Sequence, residues 1–191
     1  MFGTFSRRPL LWLLGSLLLT GISVHAQSPV VWTTNFYSVT GAHFREIRQS
    51  MARARPWKDS FDGDTRWEVQ WRFNTVQSAS GCACSGFSTT TRITTTLPRW
   101  TPPPDVLPEV KEQWTRYFTN LAQHEAGHAR LGLAAAREVE KQIASVGAQA
   151  DCVQLKQLIN DRANQAVAEY RRREVEYDEQ TDHGRRGMNY R

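Results

Sequence analysis

Cysteine is scarce in this chain, three residues in 191, which excludes a disulfide-stapled miniature scaffold and a four-cysteine zinc site. The three are Cys82, Cys84 and Cys152. The first two lie too close in sequence to pair easily, so in an oxidising compartment one of them is expected to bridge to Cys152. Charge of one sign is also weak. The formal net charge is +5, and the basic residues lack the aromatic interleaving of a base-stacking surface, so nucleic acid is not an expected partner. The densest run, Arg171-Arg172-Arg173, reads as a solvated helix face. There is no internal repeat, and no pair of carboxylates marks a glycoside hydrolase. No apolar run reaches the length of a membrane span.

What is there begins with a leader. Arg7 and Arg8 precede an apolar run from Leu10 to Val24, and Val24-His25-Ala26 supplies small residues at a cleavage position, so residues 1–26 read as a signal peptide cut after Ala26. An uncleaved anchor is the alternative. Ser6-Arg7-Arg8 followed by Leu10-Leu11 also hints at twin-arginine export. Cleavage removes two arginines and no acid, lowering the net charge from +5 to +3. Residues 27–191 are expected to form one domain, periplasmic or secreted, with no stable membrane span after cleavage.

The remaining chain changes character midway. Val30 to Val39 is β-branched and aromatic and reads as a strand, and Ala42 to Ala54 carries Phe44, Ile47 and Met51 on a helical stripe. In Arg66 to Asn74, Trp67, Val69, Trp71 and Phe73 alternate with polar residues, the pattern of a half-buried strand. Gln77 to Gly86 reads as a polar turn region, Phe87 to Leu97 as a further strand and Arg99 to Pro108 as a stiff connector. Leu107 to Val146 has helical periodicity and stops near Gly147; Asp151 is placed to cap a second helix, and Glu174 to Arg191 loses the apolar stripe and reads as loop. Strands first and helices later predict an α+β fold, a small antiparallel sheet followed by two long helices.

His124-Glu125-Ala126-Gly127-His128 falls inside the first long helix. Residues four apart on a helix share a face, so both imidazoles can reach one cation, and neutral imidazole is a good zinc ligand. Glu125 then stands where it can take a proton from an activated water and return it to a leaving amine. The pair leaves zinc short of a protein ligand. Besides His25 in the leader, the other histidines are His43 and His183. If the two helices run antiparallel, the roughly 28 Å from His128 to Gly147 brings Glu174 level with His124. Glu174 and His183 therefore both remain candidates, and Gly184 with the broken periodicity favours His183 on a returning loop.

These stretches resemble a bacterial family of predicted secreted zinc-dependent proteases, the domain of unknown function 922 family. The resemblance runs through Tyr37–Gly41, Phe61–Phe73 and Thr94–Trp100, and most specifically through His124–His128 and YDEQTDHG at Tyr177–Gly184. It implies a zincin-like domain with His124 and His128 as metal ligands, Glu125 as acid/base and His183 closing the site. Tyr177 is a candidate to hydrogen-bond an oxyanion, and Asp178 to orient a ligand histidine.

The expected function is a zinc metallopeptidase of the cell envelope acting on a peptide or protein substrate, with the Thr-rich strand at 89–98 available for strand addition. The alternative is a non-enzymatic protein that holds zinc, with Trp32, Trp67, Trp71, Trp100 and Trp114 forming a recognition surface.

Overall fold

The computed structural model describes residues 28–185; the expected leader lies outside them. Six elements follow in order: β1 (Val30–Val39), α1 (Phe44–Ala54), β2 (Asp64–Ser78), β3 (Gly81–Trp100), α2 (Pro108–Ala144) and α3 (Cys152–Thr181). The α+β class is as expected, but the sheet is mixed rather than antiparallel. Its order is β1-β3-β2, with β1 parallel to β3 and β2 antiparallel to it. Helix α1 carries the chain from the end of β1 to the start of β2 at the same end of the sheet, and the β2–β3 hairpin then returns β3 between them, parallel to β1.

Local chemistry explains the element ends. Gly41 has φ of 144°, and Glu46 Oε2 accepts the Ala42 amide at 2.9 Å, tying down the start of α1. Pro56 then forces Arg55 into extended backbone and stops the helix. Pro108 opens α2, where its missing N–H costs nothing. Asp151 caps α3 as expected, accepting the amides of Val153 and Gln154 at 2.8 and 2.9 Å.

The region 77–86, expected as a polar turn, holds its turn at 79–80 only, and the rest of it is strand. It forms the hairpin between β2 and β3, and β3 runs unbroken from Gly81 to Trp100. A register shift at Asn74/Thr75 pairs Asn74 with Gly86 and Thr75 with Cys84, leaving Ser85 as the extra residue of a bulge. Ladder pairing overrides the low strand propensity of glycine and serine here. Because β3 is the central strand, flanked by β1 and β2, the Thr-rich segment has no open edge for strand addition; the edges are β1 and β2.

Both long helices cross the sheet, and two apolar clusters result. One gathers Trp67, Val69, Ile93, Val139, Leu155 and Ile159 between sheet, α2 and α3. The other joins Val39, Ile47, Met51, Leu97, Val110 and Leu121 between β1, α1 and the first half of α2. No helix among the described residues is long and apolar enough to cross a membrane.

The Cys82–Cys152 disulfide fastens the start of α3 to the hairpin, and Cys84 is free. Beside it Cys82 and Gln149 exchange backbone hydrogen bonds of 2.8 and 2.9 Å. A Cβ on Gly81 would stand 2.4 Å from the Gln149 carbonyl oxygen, so this approach needs glycine. Replacing Cys152 by Ser is expected to lower unfolding free energy by about 2–5 kcal/mol, against less than about 0.5 kcal/mol for Cys84→Ser. Urea unfolding of both variants checks this; equal losses would overturn the pairing.

Candidate metal centre

Helix α2 passes from one apolar cluster to the other, and His124, Glu125 and His128 occupy the seam between them. All three are buried, at 8, 3 and 8 % exposure. Across the seam stands the last part of α3, which presents Tyr170, Glu174, Tyr177, Asp178 and Thr181 at helical spacing. The two helices run antiparallel: His128 meets Glu174, His124 meets Thr181, and Ser145 meets Arg162 near the other end.

Three donor atoms converge. His124 Nε2 and His128 Nε2 are 3.2 Å apart, and Asp178 Oδ1 lies 3.2 Å from the first and 3.1 Å from the second. Ligands held tetrahedrally by zinc at about 2.0–2.1 Å stand about 3.3 Å from one another. The triangle therefore has the dimensions of one face of a zinc tetrahedron, and the group fits a cation. The remaining ring nitrogens are engaged elsewhere. His128 Nδ1 lies 3.5 Å from Glu174 Oε1, and His124 Nδ1 is 3.3 Å from the Thr181 hydroxyl. Fixing Nδ1 in this way orients each ring and leaves Nε2 for the common point.

Packing holds the rings as firmly as polar contact does. The Tyr177 ring lies parallel to His124 with centroids 5.1 Å apart, and its hydroxyl donates to the His124 carbonyl at 3.3 Å. Gly127 makes room for this: a Cβ there would sit 2.1 Å from the Tyr177 oxygen. Glu174 is held in turn by the Trp67 indole N–H at 2.6 Å and by Arg171 at 2.8 Å.

The electrostatics are those of compressed charge. Burial works against a charged His128, yet the carboxylates of Asp178 and Glu174 outweigh it and push the imidazole up to about 9. Burial also opposes ionisation of Asp178, but hydrogen bonds from His124 and His128 hold it well below the usual carboxylate range. Glu174 is likewise lowered, against its burial, by His128, Arg171 and Trp67. Glu125 goes the other way: burial raises it, and only a hydrogen bond from Thr65 and the nearby imidazoles offset part of that rise. The start of β2 covers it, for a Cβ on Gly63 would meet Glu125 Oε1 at 2.5 Å. Among the described residues Glu125 Oε2 has no hydrogen-bond partner, an acceptor kept dry and unspent.

The expected residues are thus brought to one place, with a different arrangement of the third donor. Asp178 is within 3.2 Å of both Nε2 atoms, whereas Glu174 touches only the far nitrogen of His128. His183 stands 3.6 Å from Asp178 Oδ1, its ring against Phe61 with centroids 4.4 Å apart. The chain does turn back onto the site, but later than expected. The helix persists through Thr181, and Asp182, His183 and Gly184 follow with positive φ, folding Gly184 against His124. His43 is the N-cap residue of α1. The nearness of Glu174 to His128 rather than to His124 reflects the connector 145–151. It runs on to pair with Cys82 before α3 begins, displacing α3 by about one to two turns of helix. The signal for Asp178 was the polar stripe itself.

Such a buried group of two helical histidines and a carboxylate on an α+β frame defines a candidate metalloprotein. Residues 34–184 match the family described as bacterial protein of unknown function (DUF922), and the chain belongs to it. No curated protein and no solved structure matches the chain.

The Gly127–Tyr177 contact can be tested without any metal. Gly127→Ala is expected to cost about 1–3 kcal/mol in the parent, since overpacking outweighs the propensity gain, and to cost nothing in a Tyr177→Ala background. Equal costs in both backgrounds, measured by urea unfolding, would show that the tyrosine does not lie over the helix there.

Proposed function

We propose that this protein is a zinc-dependent hydrolase of the cell envelope, with a zincin-like site that cleaves peptide bonds. The observation that carries the reading is the triangle of His124 Nε2, His128 Nε2 and Asp178 Oδ1 beside the buried, unpartnered carboxylate oxygen of Glu125. In this reading His124, His128 and Asp178 hold the ion, while Glu174 and Thr181 orient the imidazoles. His183 stands beside Asp178 on the substrate side. Zinc bound there supplies Lewis acidity, activating water and polarising a carbonyl.

The chain's own residues supply the rest. Glu125, whose carboxyl is raised by burial, is suited to take a proton and to return it to a departing amine nitrogen. The Asp178 side chain is 30 % exposed, so solvent and substrate reach the group from the α3 side. Tyr177 commits its hydroxyl to the His124 carbonyl, so it serves here as a positioning residue. The edge strand β2, whose start covers Glu125, offers main-chain groups to an extended peptide. An envelope location is supported by the disulfide, which persists in oxidising compartments.

The tryptophans disfavour the non-enzymatic alternative. Trp67 is buried and Trp71, Trp100 and Trp114 pack against the two cores, leaving Trp32, at 51 % exposure, apart from any aromatic surface of that set.

Metal analysis of protein purified without chelator is expected to give one zinc per chain. His124→Ala, His128→Ala and Asp178→Ala lose it at least tenfold in affinity, and His183→Ala and Glu174→Ala retain stoichiometric zinc at micromolar concentration. Zinc lost from His183→Ala but kept by Asp178→Ala would reverse the ligand assignment. Glu125→Gln is expected to keep zinc and to lower peptide hydrolysis by about 10²–10⁴-fold. Undiminished turnover in that variant would defeat the mechanism.

A further inference from the structure

A second feature adjoins the candidate centre. A cavity of about 320 Å³ opens between α1, the segment 60–62 and the first half of α2. Its walls are Phe44, Phe61, Tyr117 and Leu121, with Arg48 and Asp62 beneath and His183 and Arg185 on the α3 side. Leu121 lies three and four residues before His124 and Glu125 on the same helix, so cavity and metal-binding group share one face of α2. His183 joins them a second time, lining the cavity while standing 3.6 Å from Asp178 Oδ1.

The wall is rigid and already paired. Asp62 forms an ion pair with Arg48, accepts the Tyr117 hydroxyl at 2.7 Å, and lies 3.6 Å from Arg55. Its backbone carbonyl accepts the Tyr37 hydroxyl at 2.7 Å. Tyr37 is buried, and burial and the Asp62 charge keep this phenol protonated. Among the described residues Asp62 is the one carboxylate lining the cavity; it is matched by two guanidinium groups, and Arg185 adds a further positive charge. Among these residues a cationic side chain finds no unmatched carboxylate, while the aromatic walls favour a flat apolar group. The volume is at the lower end of ligand sites, the size for one large side chain rather than a longer ligand.

We propose that this cavity is a specificity subsite that seats the aromatic side chain of a peptide, and that it thereby sets the residue beside the scissile bond. The second half of the statement rests on the hydrolase reading above; the first does not. With the tilted rings of Phe61 and His183 in contact along its lining, the occupant's ring enters between Phe61 and Leu121 and leaves its backbone at the Asp178 side of the centre.

Two measurements separate the halves. Binding of N-acetyl-phenylalaninamide to the full-length protein is followed by chemical-shift changes or calorimetry, with the glycine and lysine analogues as controls. The phenylalanine probe is expected to bind at least fivefold tighter than either control. Phe61→Ala, which removes a partly exposed wall, weakens it by about fivefold, and Leu121→Trp, which fills the cavity, abolishes the discrimination. Circular dichroism and unfolding confirm that each variant is folded, and Phe61→Ala keeps the test intact if Leu121→Trp is not. Equal binding of the three probes, or no effect of Phe61→Ala, overturns the subsite. Zinc-loaded protein with a mixed peptide pool, read by mass spectrometry, is expected to cut next to Phe, Tyr or Leu. In Phe61→Ala the ratio of cleavage beside Phe to cleavage beside Ala falls at least fivefold. Probe discrimination without any cleavage overturns the hydrolase reading and keeps the subsite. Cleavage indifferent to the flanking residue overturns the subsite and keeps the hydrolase.

Discussion

The indole of Trp67 sets the spacing on which the site depends. It projects from β2 onto α2 at Gly132, where a Cβ would stand 2.5 Å from the indole Cγ, so the sheet and helix touch at a glycine. Its other face carries the Arg171 guanidinium, 3.6 Å from the ring centroid, and its N–H reaches Glu174. One side chain thereby fixes β2 against both long helices. The chain of contact continues from Glu174 to His128 Nδ1, so an imidazole in the polar group is ultimately oriented by the sheet. A ring held this way has lost its rotational freedom before any cation arrives, which is what lets a site bind without reorganising.

The geometry of the helices also explains which parts of the fold are legible in the sequence. Strand β1, helix α1, the Asp151 cap and the placement of His124 and His128 inside α2 all follow from apolar period and end signals, because packing there agrees with local propensity. Three features do not. The parallel pairing of β1 with β3 arises because the β2–β3 hairpin places β3 between β1 and β2, and no strand carries its partner's direction in its own residues. The strand character of 81–86 is imposed by β2 and by the Cys82–Cys152 link. The last part of α3 lacks an apolar stripe because the face it turns to α2 is Glu174, Tyr177, Asp178 and Thr181. Its outer surface is held by ion pairs such as Arg172–Glu169 and Arg173–Glu169, at 2.8 and 2.9 Å. Such exposed pairs are screened by solvent and contribute little. The helix persists there because its polar face has partners, the one case in which loss of amphipathicity marks a site and not a loop.

Asp178 is legible in the sequence as a residue that orients a histidine, and helical phase adds that it faces α2 as a third donor. Residues 170, 174, 177, 178 and 181 continue the stripe begun by Leu155, Ile159, Ala163 and Ala166, with a change of chemistry and no change of phase. The same substitution of chemistry happens on α2, where His124, Glu125 and His128 interrupt a stripe that runs from Val110 to Ile143. Two helices that exchange apolar for polar faces at the same height must do so in register, or each buried imidazole and carboxylate would lie against hydrocarbon at a cost of several kcal/mol. The register of α2 and α3 is therefore set twice, by alanine and isoleucine at one end and by charge at the other.

The position of this polar seam, between two apolar clusters and not beneath one, has a mechanical consequence. The cluster around Leu155 and Ile159 holds the helix pair to the sheet, while the cluster around Ile47 and Met51 holds the start of α2 to α1. Apolar packing thus clamps α2 on both sides of His124, Glu125 and His128, and the side chains facing the two histidines across the seam are Glu174, Tyr177, Asp178 and Thr181. A single core large enough to enclose the group would have sealed Asp178 from solvent and left no route to it. A group outside both cores would have kept Glu125 wet and its carboxyl in the ordinary range. Only a seam gives a carboxylate that is dry at Glu125 and a carboxylate that is reachable at Asp178 on the same two helices, and burial raises the first while the paired imidazoles hold the second low.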